Sequence, residues 1–455
     1  MQRDTKTMYA TMAPWRLFFV VALPGMISMF TMSIYSIIEG VFIGQKLGEA
    51  ALAAVNIALP VVMINFSLAD MVGVGSSAPI SIALGQKDDK TANNYFSCAM
   101  LLILGVSVAM GCLMFFAAEP LVRLMGAEES VVDTATRYTR TYAVFSPLTT
   151  IFFAMDNYLR ISGYVKTSMF INVFSNVATI GLLIVFLLVL EMDVVGSALA
   201  ACIAMCGCSV AALIPFLRKK TLLKFVKPKF SGEMLRRIVS CGTPTFLNNI
   251  AGRVTSVLMN VSLMTLGARA LGAGGGTTAV AAYSVLMYAS ELCQPLLYGM
   301  SDSLAPALGF NWGAENYRRV RKIAKCNYLG GCIVSLAATA VLFFGAEFVA
   351  ALFVDAGETQ LLTLATHALK LFCLTYLVRW FPMTTQSFLS AIGKPLHATA
   401  LSVCVALVFP ALLLGGLWSF GLDGIWLNMF GTAVLSSILG FFLLGKIRET
   451  RKSAE

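Results

Sequence analysis

Leu84-Gly85-Gln86-Lys87-Asp88-Asp89-Lys90 closes a long apolar run with a glycine turn and a charged restart. The same grammar returns at Trp312-Gly313-Ala314-Glu315-Asn316-Tyr317-Arg318. Gly85 and Gly313 stand 228 residues apart, as do Gly196 and Gly424, while Gly163 before Lys166 and Gly393 before Lys394 stand 230 apart. Three landmarks in one order at offsets of 228 to 230 residues mark an internal duplication. Six apolar segments accompany each copy, and an even number leaves both copies in the same orientation. The expectation is a pair of parallel repeats around an axis along the membrane normal, with the substrate site in the cleft between them.

Outward from those turns the chain is apolar: 58% hydrophobic and 12% charged, against about 45–50% and about 25% in soluble domains. Apolar segments lie near residues 15–43, 52–84, 95–118, 139–161, 167–190, 195–217, 240–267, 279–310, 326–346, 362–391, 397–418 and 424–445. Each reaches the roughly 20 residues that a helix needs to cross the hydrocarbon. Alternating ten-residue stretches of a membrane barrel are not found. The fold class is therefore all-α integral membrane, with twelve transmembrane helices in two six-helix lobes. Residues 1–217 form the expected N-lobe, 218–239 a cytoplasmic linker and hinge, and 240–455 the C-lobe. The first apolar segment is too long for the core of a cleavable signal and is expected to persist as span 1.

The net charge of +10 does not point to nucleic acid, because its distribution follows the bilayer. Of 33 Lys and Arg, 25 fall in the loops that become cytoplasmic once both termini are placed inside, and six fall outside. That asymmetry gives a multi-pass protein of the plasma (cytoplasmic) membrane with N- and C-termini in the cytoplasm. The eleven cysteines sit in or beside apolar segments and read as small packing residues. Cys202, Cys206 and Cys208 lack a second ligand pair, so no metal site is expected. His367 and His397 lie near span ends and suggest no site.

Ionisable residues inside a membrane are costly and mark function or a partner. Seven qualify: Glu39, Asp70, Asp156, Arg253, Glu291, Asp302 and Arg379. Glu39 shares a helix face with Met32, Tyr35 and Ser36, and Asp70 shares one with Phe66. Asp156 and Arg160 have the spacing of an intrahelical ion pair. Glu39 and Asp70 have no such neighbour. A carboxyl in a partly apolar cavity suits binding and release of a proton near neutral pH, or its oxygens could ligate sodium; the alternative is an acid bonded to a neighbouring helix. In the second half, polar stripes carry Asn249 and Arg253, then Glu291 and Asp302, then Arg379. They read either as a buried, nearly neutral network, Arg253 with Glu291 for instance, or as a gate whose pairings change. Prolines within spans, Pro24, Pro60, Pro79, Pro244, Pro295, Pro306 and Pro382, free carbonyls that protein must cover.

At these residues the chain resembles the multidrug and toxic compound extrusion (MATE) family, of the bacterial DinF-like or staphylococcal multidrug-exporter type. The resemblance rests on Pro24, Tyr35-Ser36-Ile37-Ile38-Glu39-Gly40, Leu84-Gly85, Leu159-Arg160-Ile161-Ser162-Gly163, Gly196-Ser197-Ala198-Leu199-Ala200, Pro306-Ala307-Leu308-Gly309-Phe310-Asn311-Trp312-Gly313 and Gly421-Leu422-Asp423-Gly424. It implies a V-shaped cleft between the lobes and export of organic cations driven by inward proton or sodium flow. Glu39 stands where the family has a coupling aspartate in span 1, Ser36 where it often has asparagine, and Asn176 matches the asparagine of span 5. Ile180 occupies the place of a second acid, which raises the prospect that Asp70 substitutes. Arg253 and Arg379 stand near places where one branch has acids, which disfavours coupling there.

The resulting expectation is a secondary active antiporter that exports amphipathic, cationic drugs or toxic metabolites in exchange for H+ or Na+. It is not an enzyme, since no nucleophile, base or metal constellation is found, and it needs no cofactor beyond the coupling ion. Partners are small organic substrates and the lipid bilayer, and a monomer suffices. Cation coupling falls to Glu39, Asp70, Asn176 and Ser36. Cavity walls fall to Met32, Tyr35, Phe66, Phe152, Phe153, Asn249, Tyr283, Met287 and Tyr288. The alternatives are a flippase for a lipid-linked precursor and an exporter of an anionic metabolite.

Overall fold

A computed structural model describes residues 2–354 and 357–452. All regular structure among them is helical. A short helix α1 (Gln2–Thr11) precedes α2 (Pro14–Leu47), α3 (Glu49–Gly85), α4 (Asp89–Phe116), α5 (Ala118–Leu124), α6 (Glu129–Ile161), α7 (Val165–Ile184) and α8 (Val194–Leu217). The second half runs through α9 (Gly232–Leu271), α10 (Gly275–Ser303), α11 (Ala305–Gly313), α12 (Tyr317–Phe344), α13 (Ala346–Ala351), α14 (Thr359–Phe372), α15 (Thr375–Ala391), α16 (Pro395–Val403), α17 (Phe409–Gly416) and α18 (Gly421–Lys452). Every one of the apolar segments read from the sequence is helical.

Among the described residues nine helices are long and apolar enough to cross a membrane unaided, and α14 with α15 makes a tenth span bent by 50°. The two expected spans outside that set are α6 and α10 with α11, and the cause is polarity. Helix α6 holds Tyr138, Tyr142, Ser146, Thr149, Thr150, Asp156 and Arg160, and α10 holds Glu291, Gln294 and Asp302. Span 8 is further split at Leu304, just before Pro306, whose ring excludes the helical geometry of the preceding turn.

The duplication is visible atom by atom at the turns. After α3, Gln86, Lys87 and Asp88 donate their amides to the carbonyls of Ile82, Leu84 and Ala83; after α11, Ala314, Glu315 and Asn316 do the same to Phe310, Trp312 and Asn311. Lys87 (φ 62°) and Glu315 (φ 56°) both take the left-handed conformation, as do Gly163 and Gly393 in the other pair of turns. Asp88 then caps α4 by accepting from the Thr91 amide, and Asn316 accepts from Arg319 at the start of α12.

By contact the chain forms two compact units, Met1–Phe246 with Pro306–Val320 and Leu247–Ala305 with Arg321–Glu455. Within the first, the repeated glycines meet. A Cβ on Gly85 would collide with the Phe310 carbonyl oxygen, and one on Gly313 with that of Ile82; Gly75 and Gly242 stand likewise against Ile238 and Met71. Such close backbone approach is how apolar helices gain packing in lipid, where burial of side chains drives little. Side-chain hydroxyls add to it: Asn65 donates to Ser146 Oγ at 2.9 Å, Ser146 to the Ser107 carbonyl at 3.0 Å, and Ser107 shares a 2.6 Å bond with Thr150.

Helix α1 is strapped across these turns. Lys6 Nζ bonds Asp89 at 2.7 Å, Thr5 donates to the Ser162 carbonyl, and the Tyr9 hydroxyl donates to the Arg160 carbonyl at 2.5 Å. Asn311 and Arg319 in turn donate to the Tyr9 carbonyl. The segment expected as a linker is extended up to Ser231 and helical from Gly232. Its amides at Lys224, Val226 and Lys229 bond to Asn93, Ser97 and Asn94 of α4, so this segment is held along its length rather than loose.

In the second unit the bent span is repaired from α12. Ser335 donates to the Tyr376 carbonyl and Thr339 to that of Cys373 at 3.4 Å, which covers polar groups that the bend exposes. A π-turn at Cys404–Val408 between α16 and α17 is met by Thr255, which donates to the Ala406 carbonyl.

Candidate functional site

The first unit holds one carboxyl whose bonding is incomplete. Glu39 lies within α2, one turn after Tyr35, whose phenol lies within electrostatic reach of it. One of its carboxyl oxygens, Oε1, is buried and has no partner among the described residues. Tyr138 and Tyr142 of α6 and Cys202 of α8 lie within electrostatic reach of the carboxyl, and the rings of Tyr138 and Tyr142 lie 5.3 Å apart. The acid thus faces three phenol hydroxyls and a thiol, all neutral. Burying a carboxylate against neutral donors alone costs free energy that a proton, or a cation supplying the missing contact, removes.

An aromatic file continues from those tyrosines. Phe66 packs edge-on to Tyr142 with centroids 6.1 Å apart, Phe153 lies 5.2 Å from Phe66, and Phe152 lies 5.6 Å from Phe153. Four residues expected as cavity walls, Tyr35, Phe66, Phe152 and Phe153, therefore form one array with Glu39. Met32 is 45% exposed on α2. Ser36 and Asn176 make no hydrogen bond to Glu39 among the described residues.

Asp70 is not bonded to Glu39 among the described residues. It lies within electrostatic reach of Tyr158, near the far end of α6 from Tyr142, and one turn along α3 from Phe66. Near Asp70's level lies the Asp156 network. Arg160 pairs with Asp156 Oδ2 at 2.7 Å, while Oδ1 accepts from Ser168 and from Asn172 at 2.6 Å. With its lone pairs filled, Asp156 is a structural anchor.

In the second unit the arginines part company. Arg253 and Glu291 attract one another but form no ion pair among the described residues, and both are exposed. The buried pair expected from the sequence is thus corrected to a loose one, because the two side chains leave their helices on exposed faces. Arg379 is held differently: its Nη2 donates to Gln294 Oε1 at 2.9 Å, and its Nε is buried without an acceptor. Tyr283, Tyr298 and Tyr376 lie within electrostatic reach of the guanidinium. Asp302, exposed, lies near Tyr298. Of the remaining wall residues, Asn249 is exposed, Met287 half-buried, and Tyr288 stacks on Phe353 at 5.2 Å.

Tyr138, Tyr142 and Tyr376 were not among the residues singled out from the sequence. The signal for the first two was present: they stand four apart on the most polar of the expected spans. Among the described residues no group of three His, Cys, Asp or Glu could hold a metal ion.

Comparison with known proteins places this geometry in context. The model of the family described as MatE matches residues 24–185 and 244–413. The multidrug export protein MepA of Staphylococcus saprophyticus is 24% identical over 434 residues, covering 94% of this chain and 93% of that one. Its namesake in Staphylococcus aureus is 24% identical over 440 residues, with coverage of 94% and 93%. A solved multidrug resistance MATE family transporter in an outward-facing conformation superposes with a TM-score of 0.92 at 23% identity, covering 99% of each chain.

Proposed function

The chain belongs to the MatE family, and on that premise we propose that it is a secondary active antiporter exporting amphipathic, cationic drugs or toxic metabolites in exchange for H+ or Na+. It acts in the plasma membrane with both termini cytoplasmic. What carries the reading is the Glu39 carboxyl in a membrane helix beside Tyr35, with Oε1 buried and unpartnered among the described residues. The named activity of the MepA relatives, multidrug export, supports the substrate class.

In the cycle, the coupling ion and the substrate act through one group. A proton or cation on Glu39 removes the charge that attracts a cationic substrate, so each ligand weakens the other through its differential affinity for two conformations. Tyr35, Tyr138 and Tyr142 hold the carboxyl and supply neutral oxygens. The aromatic file from Phe66 to Phe152 offers the faces that an organic cation prefers. A single acid with neutral neighbours favours the proton over sodium as the ion. Asp70, Asn176 and Ser36 contribute from positions that do not bond Glu39.

The test is efflux of a fluorescent lipophilic cation from energised cells stripped of their own pumps, comparing wild type with an equally expressed Glu39→Gln variant. Efflux by the wild type and its loss in the variant is the expected result. Undiminished efflux by the variant removes Glu39 from the mechanism, and no efflux by folded wild type removes the cationic substrate class.

A further inference from the structure

We propose that Arg379 is an anion-binding subsite in the second unit, which takes the carboxylate of an amphipathic substrate. The inference rests on the export reading and narrows its substrate class to compounds that carry an anionic group.

A guanidinium carries five N–H donors and is always charged. Here one bond goes to the neutral Gln294 side chain, and no carboxylate pairs with it among the described residues. The neighbouring acids do not pair with it among the described residues: Glu291 lies within electrostatic reach of Arg253 and of Tyr376, and Asp302 within reach of Tyr298, two turns along α10 from Gln294. The buried Nε–H is a donor with nothing to meet. A cation within a span that has neither an ion pair nor a full set of acceptors is expensive on both counts.

What surrounds it is built for an acceptor. Gln294 Oε1, which receives Arg379, also receives Ser290 Oγ at 3.2 Å, and Tyr376 donates to Ser290 at 3.3 Å. That chain fixes the guanidinium from one side and leaves its other donors uncommitted. Tyr283 and Tyr298 add hydroxyls within electrostatic reach of the guanidinium, beside that of Tyr376, which is spent on Ser290. A planar fork with hydroxyls around it matches a carboxylate, which accepts two parallel N–H bonds. The same chemistry would suit a lipid phosphate, so the test separates the two.

The probes are rhodamine 110, which has a free carboxylate, and rhodamine 123, its methyl ester, on one fluorophore. Binding to the purified full chain in phosphatidylcholine nanodiscs is read by fluorescence polarisation. The wild type is expected to bind the acid at least as tightly as the ester. Arg379→Met is expected to weaken the acid by about 10-fold or more, the value of a charge-assisted bond, and the ester by less than about 3-fold. Arg379→Lys, which keeps charge without the fork, should recover part of the loss. Equal loss for both dyes reduces Arg379 to a structural role and overturns the proposal. A wild type that prefers the ester overturns it without any variant, and so covers the case in which Arg379→Met does not fold. A wild type that binds neither dye overturns the export reading as well. Loss of acid binding on changing to phosphatidylglycerol nanodiscs assigns the site to a lipid headgroup and overturns the substrate assignment.

Discussion

Replacing Asp156 with leucine removes the carboxylate that holds Arg160 at 2.7 Å, in a pair whose side chains are only 15% and 4% exposed. Breaking a buried ion pair from one side typically costs about 3–5 kcal/mol, most of it the penalty on the charge left behind. Arg160→Met has the same order of cost, because Asp156 then keeps Ser168 and Asn172 but loses its counter-charge. The double variant Asp156→Leu/Arg160→Met removes both charges. Its remaining loss is the acceptor of Ser168 and of Asn172, and Asn172 still donates to the Ser168 carbonyl at 3.0 Å. That is about 1–3 kcal/mol. The double should therefore be more stable than either single. At roughly 2 °C per kcal/mol, the singles lose about 6–10 °C of apparent Tm and the double about 2–6 °C. Fluorescence-detected size exclusion after heating in mild detergent gives the ordering. Arg137→Met, which breaks exposed pairs to Asp133 and Asp193, is the control and should move by about 1 kcal/mol or less. A double variant less stable than both singles, or an Asp156→Leu shift no larger than the control, refutes the reasoning.

The same assay checks three further expectations. Gly85→Ala places a Cβ against the Phe310 carbonyl and should cost several times more than Gly105→Ala, where nothing lies within 4 Å and the helix gains about 0.5–1 kcal/mol. Tyr9→Ala should cost about 3–5 kcal/mol, since the ring is 2% exposed and packs on Phe310; Lys6→Ala, at an exposed pair, should cost under about 1 kcal/mol. Asp88→Ala removes the cap of α4 for about 1 kcal/mol. The Thr91 bonds hold the Asp88 carboxyl below the usual aspartate range, so this contribution is complete above the ordinary aspartate pKa and fades as pH falls through the lowered one. The difference in apparent Tm between wild type and Asp88→Ala should accordingly shrink in acid.

What could be read from the sequence was whatever local chemistry dictates. The duplicated turns were legible because a left-handed residue after a helix leaves glycine and polar marks, and the spans because lipid demands length and apolarity. The pair Asp156 and Arg160 was legible because four residues bring two side chains to one helix face. Tyr138 and Tyr142 around Glu39 were not, since their meeting depends on how α2 and α6 are rotated and shifted against each other, and hydropathy does not encode register. The loose relation of Arg253 to Glu291 was hidden too: opposite charges on two polar stripes look alike whether they touch or merely face one way.

The two ways this chain treats a buried charge differ in what they allow. Asp156 and Arg160 cancel inside the protein, with every strong contact made, and a charge so satisfied has little left to offer a passing ion or substrate. Glu39 and Arg379 instead stand among tyrosines with one buried atom left open each, and of the two Arg379 keeps one side-chain bond, to Gln294. Neutral hydroxyls can donate or accept, so they steady a charged group without cancelling it. The unspent interaction is then available to a ligand, and only a group whose bonding changes when a ligand arrives can bias one conformation over another. That is why the informative residues are the incompletely bonded pair of opposite sign, an acid in the first unit and a base in the second, and not the salt bridge that a search for intramembrane charge pairs meets first.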